Sequence, residues 1–235
     1  MYKSEGYHMV FQGFGKDALN FLNALAGNNR KEWFNEYKSD YEDWIRTPAL
    51  QFIESMQEPL QKISPHFVAI ARKSGGSMMR PYRDTRFSND KSPYKTNVGI
   101  QFRHEAGKDV HAPGFYVHIE PGGCFLGAGL WKPDSQALMK IRTAIVEHDK
   151  EYAGILKSSS LKSFNWEGDT LIRPPKGFNC DHSLIQEIKR KDFLVSKAFD
   201  EQIIFSNNMT KILAKEFAKT KDLMRFLCLA LELPF

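Results

Sequence analysis

The chain has 235 residues, 42% hydrophobic and 13% aromatic, enough for a sizeable core and too apolar for an intrinsically disordered chain. Lys and Arg number 33 against 28 Asp and Glu, and the resulting net charge of +5 permits anionic partners without demanding them. No run of about 18 apolar residues is present to cross a membrane, and Met1–Gln12 has no apolar core of a secretion signal. Cys124, Cys180 and Cys228 are far apart and lack CxxC spacing, which suggests neither a disulfide framework nor a cysteine zinc site and fits reduced thiols in the cytoplasm. Residues 1–13 read as a tail and 14–235 as one domain.

Ala18, Phe21, Leu22 and Leu25 recur with helical spacing, so a first helix is expected over 16–26, stopped by Gly27-Asn28. Asn29 reads as the N-cap of the next helix, with Glu32 completing a capping box. That helix carries Trp33, Tyr37, Tyr41, Trp44 and Ile45 as one stripe, expected to pack on a sheet. A third helix starts at Thr47-Pro48, and Pro59 is expected to kink or end it. The period then changes from 3.6 to 2. Strands are expected over 67–72 and 96–103, and then over Phe115–Glu120 and Cys124–Trp131, which form a hairpin through Pro121-Gly122-Gly123. Gly127 and Gly129 suggest close approach by a backbone or a ligand. Asp134 or Ser135 caps a helix with Leu138, Ile141 and Ile145, Asp181 caps a short one through Lys189, and Phe193–Lys197 returns to the sheet. The C-terminus is helical, with Leu223, Phe226, Leu227, Ala230 and Leu231 on one face, and Lys211, Lys215, Lys219 and Lys221 read as solvated. The pattern predicts an α+β fold: an antiparallel central sheet with an N-terminal helical layer and C-terminal helices.

Residues 80–95 carry the strongest functional signal. Arg80, Arg83, Arg86, Lys91 and Lys95 face only Asp84 and Asp90, a local excess of +3 in a segment without helical or strand period. Guanidinium forks suit phosphate or carboxylate, and Tyr82 and Tyr94 add hydroxyl donors and stacking faces. The competing reading is architectural: Arg83-Asp84 and Asp90-Lys91 as ion pairs that pin a long loop. On the strand 115–120, alternation buries Phe115, Val117 and Ile119 and turns Tyr116, His118 and Glu120 to the other face. His118 can serve as general acid or base, oriented by Glu120 or Asp84. Two such residues make no metal site without a third ligand. Phosphate-loop, GxSxG, HExxH and dinucleotide motifs are absent, so no cofactor is assigned.

The segment Arg83-Asp84-Thr85-Arg86-Phe87-Ser88, followed by Asp90-Lys91-Ser92-Pro93-Tyr94-Lys95-Thr96, resembles the signature of the family named domain of unknown function 2461. Asn28-Asn29-Arg30-Lys31-Glu32-Trp33-Phe34, Phe115–Gly123 with Gly127-x-Gly129-x-Trp131, and Arg173-Pro174-Pro175-Lys176-Gly177-Phe178 agree with it, so the resemblance spans nearly the whole chain. It implies a mostly bacterial, intracellular protein and brings no activity, cofactor or catalytic residue.

Two functional classes follow. The first is an enzyme on a phosphorylated or otherwise anionic substrate, held by Arg80, Arg83, Arg86, Lys91 and Lys95, with His118 as acid or base. The second is a non-catalytic module binding an anionic ligand, nucleic acid or a partner protein with the same cations. The first requires His118 and a carboxylate to converge with the cations, whereas the second needs only an open basic surface. The sequence leaves the oligomeric state open.

Overall fold

The computed structural model describes residues 10–86, 88–107 and 112–235. Its centre is an antiparallel sheet of β1 (Phe67–Val68), β2 (Val98–His104), β3 (Gly114–Ile119), β4 (Phe125–Leu130), β5 (Asn165–Glu167) and β6 (Phe193–Ala198), in the order β1-β2-β3-β4-β6-β5. The register pairs Gly99 with His118, Gln101 with Tyr116, and Tyr116 with Gly127. The α+β reading therefore holds, with the 115–130 hairpin and the returning strand where the alternation placed them.

Before the sheet come α1 (Lys16–Gly27), α2 (Lys31–Glu36), α3 (Lys38–Asp40), a π-helical turn (Tyr41–Arg46) and α4 (Thr47–Ile63). After β4 come α5 (Ser135–Glu147), α6 (Asp149–Lys157), α7 (Ile185–Ile188), α8 (Met209–Ala218) and α9 (Lys221–Ala230). One face of the sheet is sealed. Phe115, Val117 and Ile119 are buried there; Phe217 of α8 meets Phe115 at 4.8 Å between ring centroids, and Phe52 of α4 meets Phe102 at 6.3 Å. Asp134 caps α5 by accepting from the Ala137 N–H. The buried apolar residues form one cluster from Phe11 to Cys228, so Phe11, read as part of a tail, belongs to the core against Phe14 and Phe52. Residues 1–9 of that tail lie outside the described residues. No helix among the described residues is long and apolar enough to cross a membrane.

Several local expectations are corrected. The stripe of Trp33, Tyr37, Tyr41 and Trp44 does not lie on the sheet; it gathers around Phe21 of α1, which meets Trp33 at 5.5 Å, Tyr41 at 6.0 Å and Trp44 at 6.5 Å. The π turn is the reason: its wider hydrogen-bonding step rotates later residues off a 3.6 stripe, burying Tyr41 and Ile45 and leaving Trp44 exposed. Pro59 does not end α4, because the fully buried Met56 and Leu60 anchor the last turns through Ile63. The strand expected over 67–72 stops at Val68. Ser77 folds back instead, donating its N–H to the Ile70 carbonyl at 2.8 Å and accepting the Ile70 N–H on Oγ at 2.9 Å. Residues 77–79 then continue along β2, with the Gln101 N–H on the Ser77 carbonyl and the Met79 N–H on the Gly99 carbonyl. The helix expected through Lys189 shrinks to α7, and β5 is an edge strand of only three residues, too short to leave a period. Gly129 explains itself as close backbone approach: at φ +133° any Cβ would land on the Phe193 carbonyl of β6.

Candidate functional site

The loop from 80 to 95 has a neck and a tip, built differently. At the neck, Tyr82 and Tyr94 pair as an antiparallel bridge, with the Arg83 N–H on the Pro93 carbonyl at 2.9 Å and the Lys95 N–H on the Pro81 carbonyl at 2.7 Å. The Tyr94 ring lies buried and stacked on Phe34 of α2 at 4.0 Å. Asn29 clamps the same residue: its Nδ2 donates to the Tyr94 carbonyl at 2.9 Å and its Oδ1 accepts the Tyr94 N–H at 3.0 Å. Asn29 is therefore not the expected helix cap. Arg30 holds that position with no side-chain cap, because the Asn29 amide is committed to the loop.

The tip neutralises itself. Asp84 accepts from Arg86 Nε at 3.0 Å, Nη2 at 2.7 Å and the Arg86 N–H at 3.2 Å. Asp90 accepts from the Ser92 hydroxyl at 2.6 Å and N–H at 2.9 Å, and pairs with Arg83. These donors pull both carboxyls down to about 2, Arg86 dominating at Asp84 and Ser92, then Arg83, at Asp90. Lys91 donates to the Thr85 carbonyl at 2.9 Å. Asp84 is thus bound to Arg86 and is not the partner of His118. Phe87 lies outside the described residues.

Arg80 and Lys95, at the neck, differ from the other cations: neither makes a hydrogen bond or ion pair among the described residues. Burial pushes the Lys95 ammonium pKa down, and the nearby Arg80 charge adds to it. Tyr82, more than half exposed, turns one ring face to Tyr94 at 5.2 Å and leaves the other to solvent.

On the sheet face that carries no helix in contact with Phe115 or Val117, three side chains of β3 and its end form a hydrogen-bonded row. Glu120 Oε2 lies 3.0 Å from His118 Nε2, and His118 Nδ1 lies 3.1 Å from the Tyr116 hydroxyl. In the tautomer with its proton on Nε2, His118 donates to the Glu120 carboxylate and accepts the Tyr116 O–H on Nδ1. The imidazole stacks on Phe125 of β4 at 4.6 Å, and the Asn97 amide reaches Nε2 at 3.3 Å. Burial, then the Glu120 charge, pushes the Tyr116 phenol up to about 12. His118 is only 9% exposed with both ring nitrogens occupied, whereas the Glu120 side chain is 40% exposed.

The chain neighbours of Arg80 and Lys95, rather than the two cations themselves, touch the row among the described residues. Thr96, beside Lys95, donates to Glu120 Oε1 at 3.2 Å. Met79, beside Arg80, packs against Gly99 at the same place as Tyr116: a Cβ there would lie 2.9 Å from the Tyr116 hydroxyl and 3.0 Å from Met79 Sδ. Gly99 is what allows the phenol to lie across β2. Sequence reasoning put Tyr116 on this face but missed its role, and missed Thr96 and Asn97, because cross-strand partners depend on a register that only the sheet supplies. Two clefts of about 500 and 460 Å³ lie elsewhere, one between α5, α6 and α9 around Met139 and Leu229, the other between α4 and α8 around Pro59 and Ala214. Among the described residues no cluster of three His, Cys, Asp or Glu side chains is placed to hold a metal.

A family described as a conserved hypothetical protein, DUF2461, matches residues 17–226, and the chain belongs to it. No curated protein and no solved structure matches the chain.

Proposed function

We propose that this DUF2461 protein binds a phosphate- or carboxylate-bearing small molecule between Arg80 and Lys95, and that the Tyr116–His118–Glu120 row is the acid–base group of an enzyme acting on it. The observation that carries the reading is the pairing pattern of the loop. Of its five cations, three are already engaged at the tip, and the two without partners lie one residue from Met79 and Thr96, which touch the two ends of the row. Arg80 and Lys95 lie close enough to repel, with only the Asp84 carboxylate offsetting part of the Arg80 charge, which favours an arriving anion, and a desolvated ammonium gains more from it than an exposed one. A carboxylate–imidazole–hydroxyl chain holds one tautomer and can pass a proton along its length.

Thermal melting in millimolar sulfate or phosphate, against chloride at equal ionic strength, tests the binding. Sulfate also stabilises proteins by exclusion from their surface, so the variants decide. Arg80→Ala with Lys95→Ala is expected to abolish the specific part of the shift, while Arg83→Ala with Arg86→Ala keeps it. The reverse pattern, or no specific shift in the native chain, refutes the site.

A further inference from the structure

We infer that the cleft between α4 and α8 binds a small amphiphilic anion, a carboxylate or phosphate head on an apolar body. Its floor is apolar, with Pro59 and Ile63 contributed by α4 and Ala214 and Ala218 by α8. Its charged residues are Lys62, Lys211 and Lys221, the last at the start of α9, and no acidic side chain lines it among the described residues. The site is separate from the Arg80 and Lys95 loop and does not depend on it.

Charge singles this cleft out. The larger one between α5, α6 and α9 mixes Lys140 with Glu147, Glu151 and Glu232, and Lys140 already holds Glu232 at 2.5 Å while Arg225 holds Glu151 at 2.6 Å. In the α4–α8 cleft, Lys211 and Lys221 make no side-chain hydrogen bond or ion pair among the described residues. Lys62 pairs with Glu58 at 2.7 Å, but Glu58 is not part of the lining and both side chains are more than 70% exposed, so the pair is weak. Glu216, the acid of α8, is taken up by Lys197 and Lys219. Asp222 follows Lys221 in the chain and lies outside the lining. Of the C-terminal lysines read as a solvated face, Lys219 is therefore tied to Glu216, whereas Lys211 and Lys221 flank an apolar floor.

The two walls are tied together. Ser55 of α4 donates its hydroxyl to the Phe52 carbonyl at 2.7 Å and accepts the Thr210 hydroxyl of α8 at 2.7 Å. With the Thr210 proton committed, the donors left for an anion are the three ammonium groups and the Asn207 amide. An inorganic anion would meet only exposed lysines, whose attraction water screens. A neutral apolar molecule would leave those charges unanswered. A head and a body together use both features, because the body takes the floor out of water and the head meets the lysines. Size favours a small molecule over a protein. The volume of about 460 Å³ falls in the range of about 300–1,000 Å³ typical of ligand sites, and nine residues line it, against about 20–30 on each side of a stable protein interface.

The test uses the full chain and octanoate below its micelle-forming concentration. Octanamide supplies the body without the charge, and acetate the charge without the body. Calorimetry is expected to show octanoate binding about tenfold tighter than either. Ala214 and Ala218 should shift in NMR spectra as octanoate is added. Lys211→Gln with Lys221→Gln, both at exposed positions, is expected to bring octanoate down to the affinity of octanamide. Ala218→Leu, which fills the exposed part of the floor, is expected to abolish binding in a chain that melts like the native one. Arg80→Ala with Lys95→Ala should leave octanoate binding unchanged. Equal affinity for octanoate and octanamide, full binding in the lysine variant, or shifts at Met139 and Leu229 in place of Ala214 and Ala218 overturns the inference. Binding of an acidic amphipathic peptide, or of anionic vesicles, by a chain that leaves monomeric octanoate unbound overturns it as well.

Discussion

The neck and the tip of the 80–95 loop contain the same kinds of residue, and they behave in opposite ways. The tip has Arg83, Arg86 and Lys91 with Asp84 and Asp90, and every one of these side chains finds a partner within the loop. The neck has Arg80 and Lys95 with two tyrosines, and its order comes from Phe34 and Asn29, which belong to another part of the chain. Apolar stacking and backbone hydrogen bonds hold the neck, and among the described residues its cations add no hydrogen bond or ion pair to them. Where ions must hold the loop, they are consumed in holding it. The architectural reading of the segment thus fits its tip, and the proposed ligand binding rests on its neck.

The largest effect should come from breaking the neck. Tyr94 is 2% exposed and its ring lies flat on Phe34. Tyr94→Ala removes that stacking and leaves a cavity, at a cost of about 3 kcal/mol. For a chain of this size the melting temperature should fall by about 6–12 °C. Urea unfolding checks the same loss. A change below about 1 kcal/mol would mean that α2 and the loop are not joined through this ring.

Asn29→Ala should cost less. Its amide satisfies both backbone groups of Tyr94, so truncation removes two hydrogen bonds and leaves a partly buried N–H and C=O in need of water. About 1–2 kcal/mol is expected, with the ring stack intact. Asn29→Asp separates the two bonds: it keeps the acceptor for the Tyr94 N–H and loses the donor, so its melting temperature should lie between the native chain and the alanine variant.

These positions also mark where the sequence was readable. The period of 2 in 115–120 gave the correct face for each of six residues, because a strand with one sealed side leaves little freedom in register. Charge counting found the loop. It did not separate Arg80 and Lys95 from Arg83, Arg86 and Lys91, since pairing depends on which carboxylate the folded chain brings near. Asn29 looked like a cap because Asn followed by Glu three residues later fits that pattern, and the true partner is 65 residues away. Tyr116 and Thr96 belong to the same class: each gains its role from a neighbour across the sheet or from Gly99, whose missing side chain matters only once the phenol lies over it.

The smallest effect should be an acid transition confined to the tip. Asp84 and Asp90 are held at about 2 in the folded chain, below the value of about 4 expected for a free aspartate. Because the folded values are depressed, whatever order these carboxylates give the tip is fully present above about pH 4. It is lost as the pH falls from about 4 through about 2, when protonation removes the acceptors of Arg86, Ser92 and Arg83. Both carboxylates face solvent, so the loss should barely register in global stability and should appear locally. The N–H groups of Arg86 and Ser92, which donate to Asp84 and Asp90, should shift in amide NMR spectra with midpoints near 2. The Tyr94 N–H, donated to the uncharged Asn29 amide, should not move over the same range. Tip midpoints near 4 would show that the arginines do not hold these carboxylates, and would return Arg83 and Arg86 to the pool of cations available to a ligand. Movement of Tyr94 together with the tip would show that neck and tip are one unit rather than two.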